Sequence, residues 1–194
     1  MMAQLQKEND RLDLAPKKFN MWIFIFTSFM FFAALTSAFV VYAGGKGHGL
    51  DFKIPDVFIY STITIVASSV TMFLAARAAK HLQFAKQKLF LMFTIALGIL
   101  FFFLQMYGWY VMAYKMGVYF TNPNAARSFV YVFTGMHLLH IFAGLILLLN
   151  PLIGLYRNIP QARNLYRMEM SSIFWHFVDI IWIYLYVFLL LNQH

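Results

Sequence analysis

Residues Ser171 to Leu191 read SSIFWHFVDIIWIYLYVFLLL. At a rise of about 1.5 Å per residue this stretch makes a helix of roughly 31 Å, long enough to cross the ~30 Å hydrocarbon core of a bilayer. It carries a single carboxylate, Asp179, with His176 one turn earlier on the same helical face. A carboxylate at that depth costs about 2.5–3.5 kcal/mol on insertion scales, and more without a partner. A residue that expensive has a structural or functional reason to be there.

Working outward, four more stretches have the length and apolar character of a span: about 19–43, 56–76, 88–113 and 128–150. The composition agrees, with 62% hydrophobic residues, 11% charged residues and a mean hydropathy of +0.68. A soluble domain sits near half apolar and a quarter charged. The expected fold is therefore all-α, a polytopic bundle of five transmembrane helices. A cytosolic tail of residues 1–17 precedes a membrane domain of residues 18–194. The second span is rich in hydroxyls (Ser61, Thr62, Thr64, Ser68, Ser69, Thr71). These suit either a face packed closely on a neighbouring helix or a span that is only mildly polar.

The net charge of +8 does not point to nucleic acid, because the basic residues are spread over short segments between apolar runs. There they set topology and meet anionic lipid. Eleven of the fifteen Lys and Arg fall in the N-terminal tail, the second loop and the fourth loop. The other four (Lys46, Lys53, Lys115, Arg127) lie on the opposite side. The positive-inside rule puts the N-terminus in the cytoplasm and the C-terminus outside. The absence of cysteine excludes disulfides, thiolate metal sites and iron–sulfur clusters. The polar N-terminus has neither a signal-peptide core nor a transit composition and reads as a tail ending at Pro16. Gly44 to Gly49 and the stretch around Asn122-Pro123-Asn124 are turn chemistry. No internal repeat or pair of broken helices marks a transporter.

The remaining polar groups within the spans are His137 and His140, one turn apart in the fourth, and Gln105 in the third. Glu169 stands just before the fifth. Asp179 lies roughly 12 Å, and His140 roughly 15 Å, from the cytoplasmic ends of their helices. Because the last two spans run antiparallel, His140, His176 and Asp179 are expected to form a buried polar cluster, with His137 nearby. Two alternatives stay open. His137 with His176 could ligate a haem, whereas two His at i and i+3 cannot take opposite sides of one iron. Asp179, His176 and His140 could also supply three metal ligands. No metal site is assigned. Trp109, Tyr110 and Tyr114 read as an interfacial belt, and Ala33, Ala34, Ser37 and Ala38 as a seat for a neighbouring helix.

Two motifs carry a family resemblance. Thr134-Gly135-Met136-His137-Leu138-Leu139-His140-Ile141-Phe142-Ala143-Gly144 resembles the T-G-x-H-x-x-H-x-x-x-G signature of haem-copper oxidase subunit III. Trp175-His176-Phe177-Val178-Asp179-Ile180-Ile181-Trp182 resembles the W-H-F-V-D-x-x-W signature of its last helix. Glu169, Gly98 with Phe101 and Gln105, and Asn20-Met21-Trp22 through Phe31-Phe32-Ala33 are similar to the same family. The resemblance runs from about residue 17 to the end and matches the five-span bacterial form. Two positions depart from it. Ser28 stands where the first core span often carries Glu, and Gly108 stands where a Glu often follows the Gln.

The resemblance implies a non-catalytic subunit of a respiratory cytochrome c oxidase in the bacterial cytoplasmic (inner) membrane. Such a chain packs on subunit I, within reach of subunit II and possibly small subunits. It holds phospholipids in a cleft and supports oxygen reduction coupled to proton pumping. Haem and copper then belong to partner subunits, cytochrome c is the donor to the complex, and this chain binds no cofactor. The alternatives are the accessory subunit of a quinol oxidase or nitric oxide reductase system, and an autonomous haem-binding membrane electron carrier.

Overall fold

The computed structural model describes residues 14–46, 50–121, 124–157 and 161–193. Most of the expected tail and the turns at Gly47-His48-Gly49 and Asn122-Pro123 lie outside the described residues. The described chain is built from α1 (Leu14–Lys46), α2 (Val57–Lys80), α3 (Phe84–Tyr110), α4 (Ala125–Tyr156) and α5 (Gln161–Leu191). A π-helical turn, Val111–Lys115, extends α3. All five helices are long and apolar enough to cross a membrane.

Each helix runs past the apolar stretch that announces it. Hydropathy marks where hydrocarbon begins, but a helix ends only where the backbone meets a breaker. Thus α5 starts at Gln161, ten residues before the apolar run, and Glu169 lies inside a helix rather than ahead of one. The α1 helix starts at Leu14, so Pro16 sits in its first turn instead of closing a tail. Proline is tolerated there because first-turn N–H groups have no intrahelical partner.

Pro151, inside α4, is handled differently. It cannot donate to the carbonyl four residues back, that of Leu147. The Ser171 hydroxyl of α5 donates to that carbonyl at 2.9 Å. A neighbouring helix thus satisfies the backbone group that proline releases, as an apolar surround requires.

The α5 helix is the axis of the bundle, with 44% of its most apolar stretch buried against 22% for α1. The α2 and α3 helices form a tight antiparallel pair joined by a short turn through His81, Leu82 and Gln83, with Leu82 in the left-handed region at φ 57°. The inner face of α2 is small and hydroxylated (Ser61, Ser68, Ala75, Ala79), which lets backbones approach. The α1 helix lies outside, chiefly against α4 and α5, through Ser28, Phe32, Thr36 and Phe39.

Opposite ends of the bundle are tied separately. At one, Lys18 of α1 meets Glu169 of α5 at 2.7 Å. At the other, Leu50 N–H donates to the Asn192 carbonyl and Ile54 N–H to Gln193 Oε1. Arg127 forks onto both oxygens of Asp51 there, at 3.0 and 2.7 Å. The first and last helices therefore run parallel, as an odd number of spans demands.

Candidate functional site

The intramembrane polar groups sit at three separate stations, not in the single cluster expected. The first surrounds the two tryptophans of α5. Trp175 lies across α3 and α4 at Gly98 and Gly144, where an added Cβ would come within 2.7 and 3.0 Å of its ring. Its indole N–H donates to Ser68 Oγ of α2 at 3.0 Å. One level up, Trp182 is stacked on Phe58, edge-on to Phe101, and 5.0 Å from the His137 ring. Its N–H donates to Thr62 Oγ1 at 3.0 Å. Gln105 donates to Ser61 Oγ at 3.0 Å. The hydroxyls of α2 are thus acceptors for its neighbours, which favours the close-packing reading of the second span. His137 is fully buried among these rings, and neither ring nitrogen finds a hydrogen-bond partner among the described residues.

The second station joins α1 to α4. His140 Nδ1 lies 2.8 Å from the Met136 carbonyl and Nε2 lies 3.3 Å from Ser28 Oγ. A carbonyl only accepts, so in the neutral ring Nδ1 carries the proton and Nε2 accepts from the Ser28 hydroxyl. Phe24 and Phe32 pack around the ring. Ser28, singled out as a missing carboxylate, is the α1 partner of the motif histidine. Gly108, the other such position, is tight: an added Cβ would lie 3.1 Å from the Phe58 ring, which would have to shift.

The third station joins α2 to α5. His176 Nδ1 is 2.8 Å from Ser69 Oγ and 4.0 Å from Asp179 Oδ2. Asp179 is buried beside the Ser69 hydroxyl, and neither carboxylate oxygen makes a full hydrogen bond among the described residues. His140 and Asp179 do not meet. Depth along a helix is only one of two coordinates. Around the helix axes, His140 turns toward α1, His137 toward the tryptophan layer, and Asp179 toward α2.

Neither alternative ligand set assembles from these positions. His137 packs tilted against Trp182 while His176 bonds Ser69, so the two rings are engaged at different places in the bundle. Among the described residues no three His, Asp or Glu side chains converge as metal ligands would. Chemically, the arrangement can hold helices together. Its two serine–histidine contacts, Ser28 with His140 and Ser69 with His176, each join two helices.

An apolar groove of about 560 Å³ opens beside α1, between α4 and α5. Met21, Phe24, Ala143, Leu147 and Phe174 line it, and Asn20 and Tyr166 supply its polar margin. The Lys18–Glu169 ion pair stands at that same end.

Residues 14–192 match the family model described as cytochrome c oxidase subunit III. The chain is 28% identical over 187 residues to cytochrome c oxidase subunit 3 of Bacillus sp. (strain PS3), covering 93% of this chain and 87% of that one. It is 30% identical over 173 residues to cytochrome bo(3) ubiquinol oxidase subunit 3 of Pseudomonas aeruginosa, covering 85% and 79%. Against cytochrome c oxidase subunit 3 of Locusta migratoria it is 29% identical over 181 residues, covering 88% and 66%.

Proposed function

This chain belongs to the cytochrome c oxidase subunit III family, and we propose that it is a non-catalytic core subunit of a respiratory haem-copper oxidase. It packs on the large haem-bearing subunit in a bacterial inner membrane, N-terminus in the cytoplasm, and keeps that enzyme assembled while oxygen reduction and proton pumping run in its partner. The observation that carries this reading is where the polar groups go. Trp175, Trp182, Gln105, His140 and His176 each bond a hydroxyl on another helix. Two of the three intramembrane histidines, His140 and His176, are used to join helices.

The groove beside α1 suits phospholipid. Its walls are apolar, and Asn20 and Tyr166 at its margin, with the Lys18–Glu169 pair at the same end, suit a headgroup. Filling it with Ala143→Trp is expected to lower the phospholipid retained per complex, read by mass spectrometry of the extracted lipid.

The electron donor has two readings. The family description and the Bacillus relative favour cytochrome c, while the Pseudomonas relative favours quinol. Purification in mild detergent through a tag on this chain tests both questions. A haem-bearing polypeptide is expected to co-purify, and oxygen uptake with reduced cytochrome c or with quinol assigns the donor. Recovery of this chain alone, with a Soret band of its own, would instead identify an autonomous haem carrier.

A further inference from the structure

Trp175 of α5 reaches Gly98 of α3. These two helices run parallel and stand across the core from each other, with α2 and α4 between them. Eleven residues earlier in each helix stand Gln87 and Asn164. Eleven residues make almost three whole turns, so each keeps the azimuth of its counterpart, about 16 Å nearer the helix start. Gln87 and Asn164 therefore face one another across the core in the first turns of their helices, at the Lys18–Glu169 end.

Both ends of the Gln87 amide and the Oδ1 of Asn164 are buried, and none finds a hydrogen-bond partner among the described residues. Turning the Gln87 amide over exchanges its oxygen and nitrogen and still leaves both ends unmet. Buried amides in folded proteins are nearly always satisfied, by protein or by ordered water. Space favours the second. Three turns away the centre is closed by an indole against a glycine. Here two shorter amides span the same line, and the helices on either side present small groups, Ala75, Ala78 and Ala79 of α2 and Gly154 of α4. Gln87 and Asn164 are 0% and 1% exposed, so an occupant has to be small enough for an enclosed core. It also has to serve an acceptor on one side and an amide on the other. Water meets both conditions. One O–H donates to Asn164 Oδ1, and the other O–H or a lone pair meets whichever end of Gln87 faces it.

We propose that Gln87 and Asn164 hold an enclosed structural water that bridges α3 to α5 across the core. This water ties the two helices at their first turns as Trp175 ties them three turns further on. The site is built from this chain alone and is independent of which subunits surround it.

The test is a cryo-EM map of the intact assembly purified through this chain, at a resolution that shows ordered water. A density is expected between the two amides, about 2.7–3.2 Å from Asn164 Oδ1 and from the Gln87 amide. Gln87→Met gives a second readout, since it keeps an unbranched side chain of similar length and loses the bridge. The ratio of folded to unfolded protein, read by thermal or detergent unfolding, should fall about fivefold to hundredfold. Asn164→Ala should fall in the same range. The double variant should lose less than the product of the two, because either change alone removes the bridge. The bridge is overturned by a map in which the amides touch directly with no density between them, or in which Arg167 donates to Asn164 Oδ1. A density closer than about 2.5 Å, the distance of a cation, overturns it too. So does a neutral or stabilising Gln87→Met, because removing an unmet buried amide relieves a cost whereas removing a bridged one adds one.

Discussion

The first helix and the last are held by different physics. The α5 helix is knitted into α2 by two indole N–H bonds and the Ser69–His176 bond, and wedged between Gly98 and Gly144. The α1 helix leans on α4 and α5 chiefly through aromatic edges, Phe39 against Phe129, Phe133 and Phe188. Three hydroxyl contacts add to them, Ser28 to His140 at 3.3 Å, Thr36 to Tyr184 at 2.8 Å and the Tyr42 oxygen accepting from the Ala125 N–H at 3.1 Å. In a membrane, helices gain little from the hydrophobic effect against one another, so shape and interhelical hydrogen bonds decide which are fixed. The contrast implies a rigid α2–α3–α5 wall and a looser α1 beside an open groove.

Breaking the wall should have the largest effect. Trp175→Ala removes a ring that fills two glycine notches and an indole bond, and should destabilise the chain by about 3–5 kcal/mol. Detergent or thermal unfolding of the purified protein measures it. Trp175→Phe keeps most of the ring and loses only the bond to Ser68, so its cost should fall to about 0.6–1.7 kcal/mol. Equal costs for the two variants would mean the bond, not the packing, holds α5.

Filling a notch comes next. Gly144→Val puts new atoms within contact of Trp175 and should cost about 1–3 kcal/mol by overpacking. Ser171→Ala is a comparable test of backbone accounting. It orphans the Leu147 carbonyl released by Pro151, at about 1–3 kcal/mol, and should raise amide exchange in α4 near Pro151. A neutral Ser171→Ala would show that the carbonyl finds another donor.

The smallest effects belong to α1. Ser28→Ala removes one long hydrogen bond and should cost about 0.6 kcal/mol. Lys18→Ala should change stability by no more than about 0.5 kcal/mol, because both ends of its ion pair are substantially exposed. A loss from either variant as large as that from Gly144→Val would erase the distinction between wall and outrigger.

Much of this was legible in the residues. The number of spans followed from hydropathy alone, because length and apolar content are one-dimensional properties. That His137, His140, His176 and Asp179 lie inside the bilayer was legible for the same reason. Which of them meet was not. His137 and His140 are one turn apart, yet one faces Trp182 and the other Ser28, a difference in azimuth that depth along a helix does not contain. The α2 hydroxyls carried a readable signal: Ser61, Ile65, Ser68 and Met72 repeat at helical spacing and all are buried. That face foretold close contact, but only the fold shows that tryptophan and glutamine side chains donate to it. The Asp51–Arg127 fork joins a loop to the first turn of α4, far apart in sequence, and left no local trace.

The central claim is that the histidines of this bundle brace helices rather than ligate a prosthetic group. It is tested most directly by the optical spectrum of the tagged complex before and after this chain is stripped from it. The expected result is that all haem absorbance stays with the partner polypeptide and that His137→Ala leaves the spectrum unchanged. A Soret band that travels with the stripped chain and disappears in His137→Ala would contradict it.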